Sequence, residues 1–338
     1  MKILFIGGNG NISWHCTQLA IEHGHEVWQL NREISVVTRR RVQSQVHKLK
    51  GNMRETAEVK RLLDGCSFDV VCDFICYNGE QAKNDIEIFR NKTRQFMFIS
   101  SDSIYKRRPL PDDFPYAEDN EQYDANSCDC DYIVGKLEAE QVFIKAWEQE
   151  NFPVTIIRPS YTYDTIFPIS IGHNCFTAEE LILQGYPLLV AGEGNNRWTF
   201  THSSDFAGAF IGLVGNLEAV GEAFNISTDE KISWNEQSEL VLNALHIENN
   251  KIFHVPYEDA LDFSEIQPKI MMFQRMQNNV ACIDKVMAYV PGWRPRVSFE
   301  EGIQRTVRWL NEDARHKRHV DRIYSALMAV YERYGIKL

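Results

Sequence analysis

Short apolar runs alternate with amphipathic stretches through the first half of the chain. Ile3–Ile6 predicts a strand, Ile12–His23 a helix ended by Gly24, and Glu26–Leu30 a second strand. An irregular, basic stretch follows. Helices are then expected over Thr56–Leu63 and Gly79–Arg90, with strands over Phe68–Ile75 and Gln95–Ile99. Asp131–Glu150 reads as a long amphipathic helix and Val154–Ile157 as a further strand. Unbroken apolar strands separated by helices predict an α/β fold, a doubly wound parallel sheet covered on both faces.

The second half is less regular. Ala178–Gln184, Ser204–Leu217, Asn235–Leu245 and Val297–Asn311 predict helices, and Ala223–Ile226 and Phe253–Pro256 predict strands. Beyond Arg315, the residues Val320, Ile323, Tyr324, Leu327 and Tyr331 form one stripe, a packing face against the body or a second subunit. At 338 residues the chain exceeds the usual single domain. The expected division is a cofactor-binding domain over 1–164, rejoined by about 199–232. A smaller substrate-binding lobe takes 165–198 and 233–312, and a helical tail takes 313–338.

Net charge −11 argues against a nucleic-acid or anionic-membrane partner, since a phosphate-backbone binder needs a basic face. No run approaches the roughly 18 to 20 apolar residues that span a bilayer. Lys2 is followed by only four apolar residues before glycine, so a cytoplasmic protein is expected. The eight cysteines include no Cys-x-x-Cys pair, and Cys128 and Cys130 sit too close for a zinc knuckle. Buried, reduced thiols and no metal are expected.

Gly7-Gly8-Asn9-Gly10-Asn11-Ile12-Ser13 follows a strand and opens a helix, the context of a dinucleotide-binding turn. Gly7 permits the tight turn, and Gly10 lets a pyrophosphate approach the backbone beside Asn11 and Ile12 at the helix N-terminus. Position three of the glycine pattern is Ser13, small enough for helix–strand packing. The first half therefore reads as a Rossmann-type domain for NAD or NADP. Asn31 and Arg32 at the end of the second strand, with Arg39, Arg40 and Arg41 beyond, tilt the choice toward NADP; Asn52 after Gly51 is a candidate adenine contact.

Phe98-Ile-Ser-Ser-Asp-Ser-Ile-Tyr105 puts hydroxyls, Ser101 and Ser103 among them, at the carboxyl end of a strand, where open α/β sheets bind ligands. Tyr132 and Lys136 are four residues apart, on one face of a helix. A lysine cation beside a phenol favours the phenolate, so the pair predicts proton transfer at a substrate hydroxyl.

With these motifs the chain resembles the extended short-chain dehydrogenase/reductase superfamily, in its NAD-dependent epimerase/dehydratase group. The resemblance runs from residue 2 to about 311 and includes Ile157-Arg-Pro-Ser, Phe200-Thr-His-Ser-Ser-Asp205 and Gly292-Trp-Arg-Pro. It implies Ser101, Tyr132 and Lys136 as the catalytic set. It places Phe74, Ile75 and Cys76 along the nicotinamide ribose, and Pro159, Ser160 and Tyr161 beside nicotinamide and substrate. It also implies a small sugar-like substrate, and a homodimer is expected.

Two departures weaken the implied nucleotide-sugar site. The arginine that clamps a diphosphate before Phe-x-His-x-x-Asp falls on Trp198, with Arg197 one residue out of register. The second clamp has no counterpart between Gln267 and Cys282, where only Lys269 and Arg275 are basic. Trp198 then either stacks on substrate or packs the lobe. His173 is placed at the pocket rim, and His202 orients a loop. The expected activity is oxidation or epimerisation at a secondary hydroxyl or ketone, as in a nucleotide-sugar 4-epimerase. A 4,6-dehydratase would want an acidic pair beside the serine, and only Asp102 is there. The alternatives are an NADPH-dependent reductase of a non-nucleotide carbonyl, and a non-catalytic NAD(P)- or RNA-binding protein on this fold.

Overall fold

The structure is a computed structural model and describes residues 1–32, 40–107, 114–248 and 251–338. The chain runs β1 (Lys2–Ile6), α1 (Ser13–Glu22), β2 (Glu26–Asn31), β3 (His47–Lys50), α2 (Thr56–Leu62), β4 (Phe68–Asp73), α3 (Gly79–Phe89), β5 (Thr93–Ile99), α4 (Asp131–Glu150) and β6 (Val154–Pro159). It continues through β7 (Tyr161–Tyr163), α5 (Thr177–Leu183), β8 (Leu188–Ala191), β9 (Arg197–Trp198), β10 (Phe200–His202), α6 (Ser203–Leu213) and β11 (Ala223–Ile226). The rest comprises β12 (Ile232–Ser233), α7 (Trp234–Ala244), β13 (Ile252–Val255), α8 (Tyr257–Ala260), α9 (Lys269–Arg275), α10 (Asp284–Tyr289), α11 (Phe299–Glu312) and α12 (Asp321–Arg333).

Among the described residues the main sheet has the order β3-β2-β1-β4-β5-β6-β11, with every pair parallel. The chain leaves β1 toward β2 on one side and returns through β4 on the other. That reversal opens a crevice beyond the carboxyl ends of β1 and β4, the position where doubly wound sheets bind dinucleotides. One face of the sheet packs on Phe206 and Phe210 of α6 and Cys16 and Ala20 of α1, with Val286 of α10. The other packs on Val59 of α2, Ile86 and Phe89 of α3, and Phe143 of α4. A third core gathers β8, Phe200, Trp234 of α7, and Phe299 and Trp309 of α11.

Several elements depart from the sequence reading, each for a local reason. The stretch after β2, expected to be irregular, contains the edge strand β3; its His-Lys-Leu-Lys is mostly exposed, and a polar edge strand carries no apolar signal. Strand β4 stops at Asp73, two residues early. The Asp73 carboxylate accepts the Ile75 N–H at 2.6 Å, and the Phe74 N–H turns to the Ile6 carbonyl at 3.1 Å. Phe74–Cys76 thus leave the sheet and fold over the end of β1. Strands β7 to β10 and β12, and helices α8 to α10, are too short to show a period. The stripe beyond Arg315 packs on the body: Ile323, Leu327, Val330 and Tyr331 are buried in the third core. No helix among the described residues is long and apolar enough to cross a membrane.

Candidate active site

The carboxyl edge of the sheet opens into a cleft of about 650 Å³. Gly7, Gly10, Ile75, Ser101 and Tyr132 line it from the sheet side, and Tyr161, Trp198 and Arg275 from the other.

At one end lies the glycine turn. Gly7 has φ +75°, the left-handed region that favours glycine, and a Cβ there would drive into Ile75 Cγ2 at 2.6 Å. Ser13 Oγ accepts from the Gly10 N–H at 2.8 Å and donates to the Gly7 carbonyl at 2.7 Å, so Ser13 braces the turn from within. The N-cap of α1, Ile12, offers no side-chain acceptor, and Gly10, Asn11, Ile12 and Ser13 all face the cleft. An uncapped helix start, carrying partial positive charge, is the arrangement a pyrophosphate needs. Asn11 itself is committed elsewhere: its Nδ2 donates to the Thr162 carbonyl at 3.0 Å, and its Oδ1 accepts the Thr165 N–H at 3.0 Å. Phe74 and Ile75 line the cleft, as do Pro159 and Ser160 at the end of β6. Cys76 does not; it is buried behind that wall, with its carbonyl turned to Lys136.

The helix α4 brings Tyr132 and Lys136 to the same wall as Ser101. Lys136 is buried, and its ammonium donates to the Cys76 carbonyl at 2.7 Å and the Ile99 carbonyl at 2.6 Å. Burial lowers that ammonium to about 8, against the opposing pull of Cys76, Asp73 and Glu140. Ser101 Oγ shares a 2.8 Å hydrogen bond with Ser103 Oγ, and both line the cleft. The Tyr132 ring is two-fifths open to solvent, yet protein crowds its hydroxyl; burial pushes the phenol up to about 12, against a hydrogen bond to Ser101. This is the opposite of the direction expected from the Tyr–Lys spacing. The reason is that Lys136 Nζ, spent on two carbonyls, stays 5.9 Å from the Tyr132 ring centre.

At the far end, Arg275 of α9 stacks at 5.4 Å on both Tyr161 and Trp234. It is buried, donates to Gln267 Oε1 at 2.8 Å and to the Ile169 carbonyl, and has no acidic partner among the described residues. A buried guanidinium without a counter-ion is a poor resting state and a good anion receptor. Asp102, its carboxyl raised by burial, accepts from Asn279 Nδ2 at 2.8 Å, and Arg107 Nη2 lies 3.8 Å from the same oxygen.

The other sequence candidates divide. His173 lies at the exposed rim of the cleft. Trp198 is buried and donates to the Gln277 carbonyl at 2.8 Å while packing on Phe200 and Trp234, so the lobe core holds it. Arg197 is exposed and does not line the cleft. Asn31, Arg32 and Asn52 cluster at the ends of β2 and β3, outside the cleft lining, with Asn52 Oδ1 accepting the Arg54 N–H. Arg39 lies outside the described residues. Arg40 is held by the buried Asp164 at 2.7 and 2.8 Å, so its guanidinium does not stand at the end of β2 as a free phosphate receptor; the Arg41 carbonyl accepts from Trp14 Nε1 at 2.8 Å. His202 caps α6 through Nδ1 and lies behind the cleft. Sequence reasoning noted Arg275 only as a basic residue where the second clamp has no counterpart, and passed over Arg107 and Asn279. An arginine inside the apolar string Met271-Met-Phe-Gln-Arg-Met was the available signal for the first.

A model of the NAD dependent epimerase/dehydratase family matches residues 3–227. The chain belongs to that family. Family membership also fixes it as an extended short-chain dehydrogenase/reductase and accounts for the sheet order and the glycine turn. The chain is 26% identical over 316 residues to the chloroplast stem-loop binding protein of 41 kDa b of Arabidopsis thaliana, across 89% of this chain and 77% of the relative. It is 25% identical over 243 residues to UDP-N-acetyl-alpha-D-glucosaminuronate decarboxylase of Bacillus cytotoxicus, across 70% and 69%. UDP-glucuronic acid 4-epimerase from Bacillus cereus, solved with UDP-glucuronic acid and NAD, superposes with a TM-score of 0.69 at 18% identity, over 92% of this chain and 99% of that one; the fold is shared.

Proposed function

We propose that this family member binds NAD along the glycine turn and a nucleotide-sugar-like substrate against Arg275, and that Ser101, Tyr132 and Lys136 move the proton of a secondary hydroxyl. The observation that carries this reading is the presence of all three side chains in one cleft, between an uncapped helix N-terminus and an uncompensated arginine. Gly7, Gly10, Ile12, Phe74, Ile75, Pro159 and Ser160 would hold the dinucleotide, with Cys76 behind them and Asn31, Arg32 and Asn52 at its adenosine end. A nicotinamide there would supply the hydride acceptor and, when oxidised, a positive charge.

The chain's own residues then have separable tasks. Ser101 accepts or donates at the reacting oxygen and orients the Tyr132 hydroxyl. Tyr132 holds the proton that leaves or returns. With its phenol raised, it is protonated at neutral pH, poised to donate to a carbonyl; abstraction from a hydroxyl needs added positive charge nearby. Lys136 supplies a fixed cation from the helix below. The capture of Arg40 by Asp164 supports NAD over NADP, because a 2′-phosphate would find one arginine fewer.

The names of the relatives divide the rival readings. A uronate-sugar decarboxylase supports a nucleotide-sugar substrate; a stem-loop-binding relative supports RNA. Net charge −11 and the assembled Ser–Tyr–Lys cleft weigh for the first. Calorimetric titration with NAD and NADP, followed by turnover assays over a panel of UDP- and dTDP-sugars, tests the reading. Tyr132→Phe should bind NAD like the parent and lose about 10²–10⁴-fold in kcat. Turnover unchanged in Tyr132→Phe would end the acid–base assignment. Stem-loop RNA bound in preference to any nucleotide would replace the reading altogether.

A further inference from the structure

A second, smaller chamber of about 320 Å³ lies beside the cleft. It shares Asn11, Ile166 and Asn174 with the cleft but takes in none of Ser101, Tyr132, Lys136 or Arg275. Phe167, Phe176 and Leu310 form its apolar wall, and His316 and Arg318, in the turn between α11 and α12, bring its charge. The proton-transfer scheme uses none of these residues.

Charge in the chamber has one sign. The chain carries 47 Asp and Glu against 36 Lys and Arg, yet no described acid lines the chamber. Asp164, next to Thr165 in its wall, is spent on Arg40 at 2.7 and 2.8 Å. Most of the basic run 315–322 is likewise paired. Arg315 binds Asp313 at 3.0 Å, Lys317 donates to Asn311 Oδ1 at 2.8 Å, His319 meets Glu180 at 2.6 Å, and Arg322 donates to the Glu265 carbonyl at 2.6 Å. The Arg318 guanidinium has no partner among the described residues. Both basic groups of the chamber nevertheless stand on fixed supports. The His316 ring stacks on Trp309 with centroids 3.9 Å apart and planes at 2°. Its Nδ1 lies 2.7 Å from the Trp309 carbonyl, which can only accept, so Nδ1 carries a proton and Nε2 is left for a ligand. The Arg318 carbonyl accepts the Phe176 N–H at 2.8 Å, and the Arg318 N–H donates to the His316 carbonyl at 3.0 Å, tying the turn to the chamber wall. Asn174 adds a side-chain amide with no partner among the described residues.

We propose that this chamber binds a small phosphomonoester, at a site separate from the reacting centre. A phosphate has oxygens enough for all three unspent groups. The Arg318 fork matches it bidentately, the Asn174 amide donates once, and His316 Nε2 donates when the ring is protonated. A short carbon body then lies against Phe167, Phe176 and Leu310. The volume stands at the lower end of the roughly 300–1,000 Å³ of ligand pockets, which suits a few carbon atoms and not a second dinucleotide. The site stands whether or not a dinucleotide occupies the glycine turn.

Calorimetric titration of the full chain at fixed ionic strength tests this, with glycerol 3-phosphate as the probe and glycerol as its uncharged control. One glycerol 3-phosphate should bind per chain, and glycerol should not bind. Arg318 is exposed, so Arg318→Gln should fold; it should weaken the probe by about tenfold or more, and Arg318→Lys should restore only part of that loss. Arg315→Gln, in the same basic run but outside the chamber, should leave the affinity unchanged, as should saturating NAD. No binding to the wild type, or binding indifferent to Arg318→Gln, would overturn the proposal. Equal losses in Arg315→Gln and Arg318→Gln would reduce the effect to net charge, and competition by NAD would put the probe on the glycine turn; either result also overturns it. Failure of NAD to bind would instead overturn the proposed function and leave these titrations standing.

Discussion

Single side chains in this protein are tuned chiefly by what surrounds them. Glu179 on α5 shows it most simply. It is buried, neither carboxylate oxygen has a hydrogen-bond partner, and burial raises its carboxyl to about 8. In the unfolded chain it titrates near its ordinary 4.5. Between those values the folded state binds the extra proton, so its contribution to stability is complete below about 4.5 and is lost as pH rises through about 8. Denaturation of wild type and Glu179→Gln across pH 5 to 9 should show the variant gaining on the parent as pH rises, by on the order of a few kcal/mol at the alkaline end. Parallel curves would mean that the carboxyl ionises without penalty. Tyr132 obeys the same rule at the cleft wall. The i, i+4 spacing placed phenol and ammonium on one helix face, but their titration depends on the carbonyls that occupy Lys136, which no spacing reports.

At the scale of elements, helix α4 must approach the Phe74–Asn78 segment closely enough to bury Lys136. Gly135 makes this possible: a Cβ there would collide with the Tyr77 backbone oxygen, in a helix that otherwise runs unbroken for 20 residues. Gly135→Ala should therefore push α4 off the segment despite alanine's better helix propensity. A loss of about 2 kcal/mol or more in chemical denaturation is expected, with a changed Lys136 environment. An alanine variant as stable as the parent would show that the segment moves freely. The long elements were legible because each presents several turns or a full apolar run to a core; α4 and β6 begin where their periods begin. The short strands β7, β9 and β10 escaped because two or three residues cannot show alternation, and β3 escaped because its pleat faces water.

For the molecule as a whole, the proposed cofactor side was readable and the proposed substrate side largely was not. The glycine turn, Ser101, Tyr132 and Lys136 are local motifs, each carried by one strand end or one helix. Arg275 meets Tyr161 and Trp234 only through tertiary packing, which no local string reports. The same dispersion makes α12 part of the third core. Ile323, Leu327, Val330 and Tyr331 are almost fully buried there, worth about 1.5–3 kcal/mol each. Their sum is comparable with the net stability of a whole domain. Truncation after Asp313 should leave the main sheet folded and the third core open to proteolysis within 165–198 and 233–312, as read by limited digestion and mass spectrometry; a truncated chain as resistant as the parent would make α12 an accessory.

One residue ties the two sides together. Asn11 stands in the glycine turn, yet its side chain clasps the Thr162 carbonyl and the Thr165 N–H, and its own carbonyl accepts the Ser203 hydroxyl at 2.7 Å. The turn after β1 is thereby latched to β7, to Thr165 beyond it and to the start of α6. Under the proposed function, a dinucleotide on that turn would meet backbone already tied by Asn11 to residues 162–165 and to Ser203. Amide hydrogen exchange at 162–165 and at the start of α6 should slow when dinucleotide alone is added.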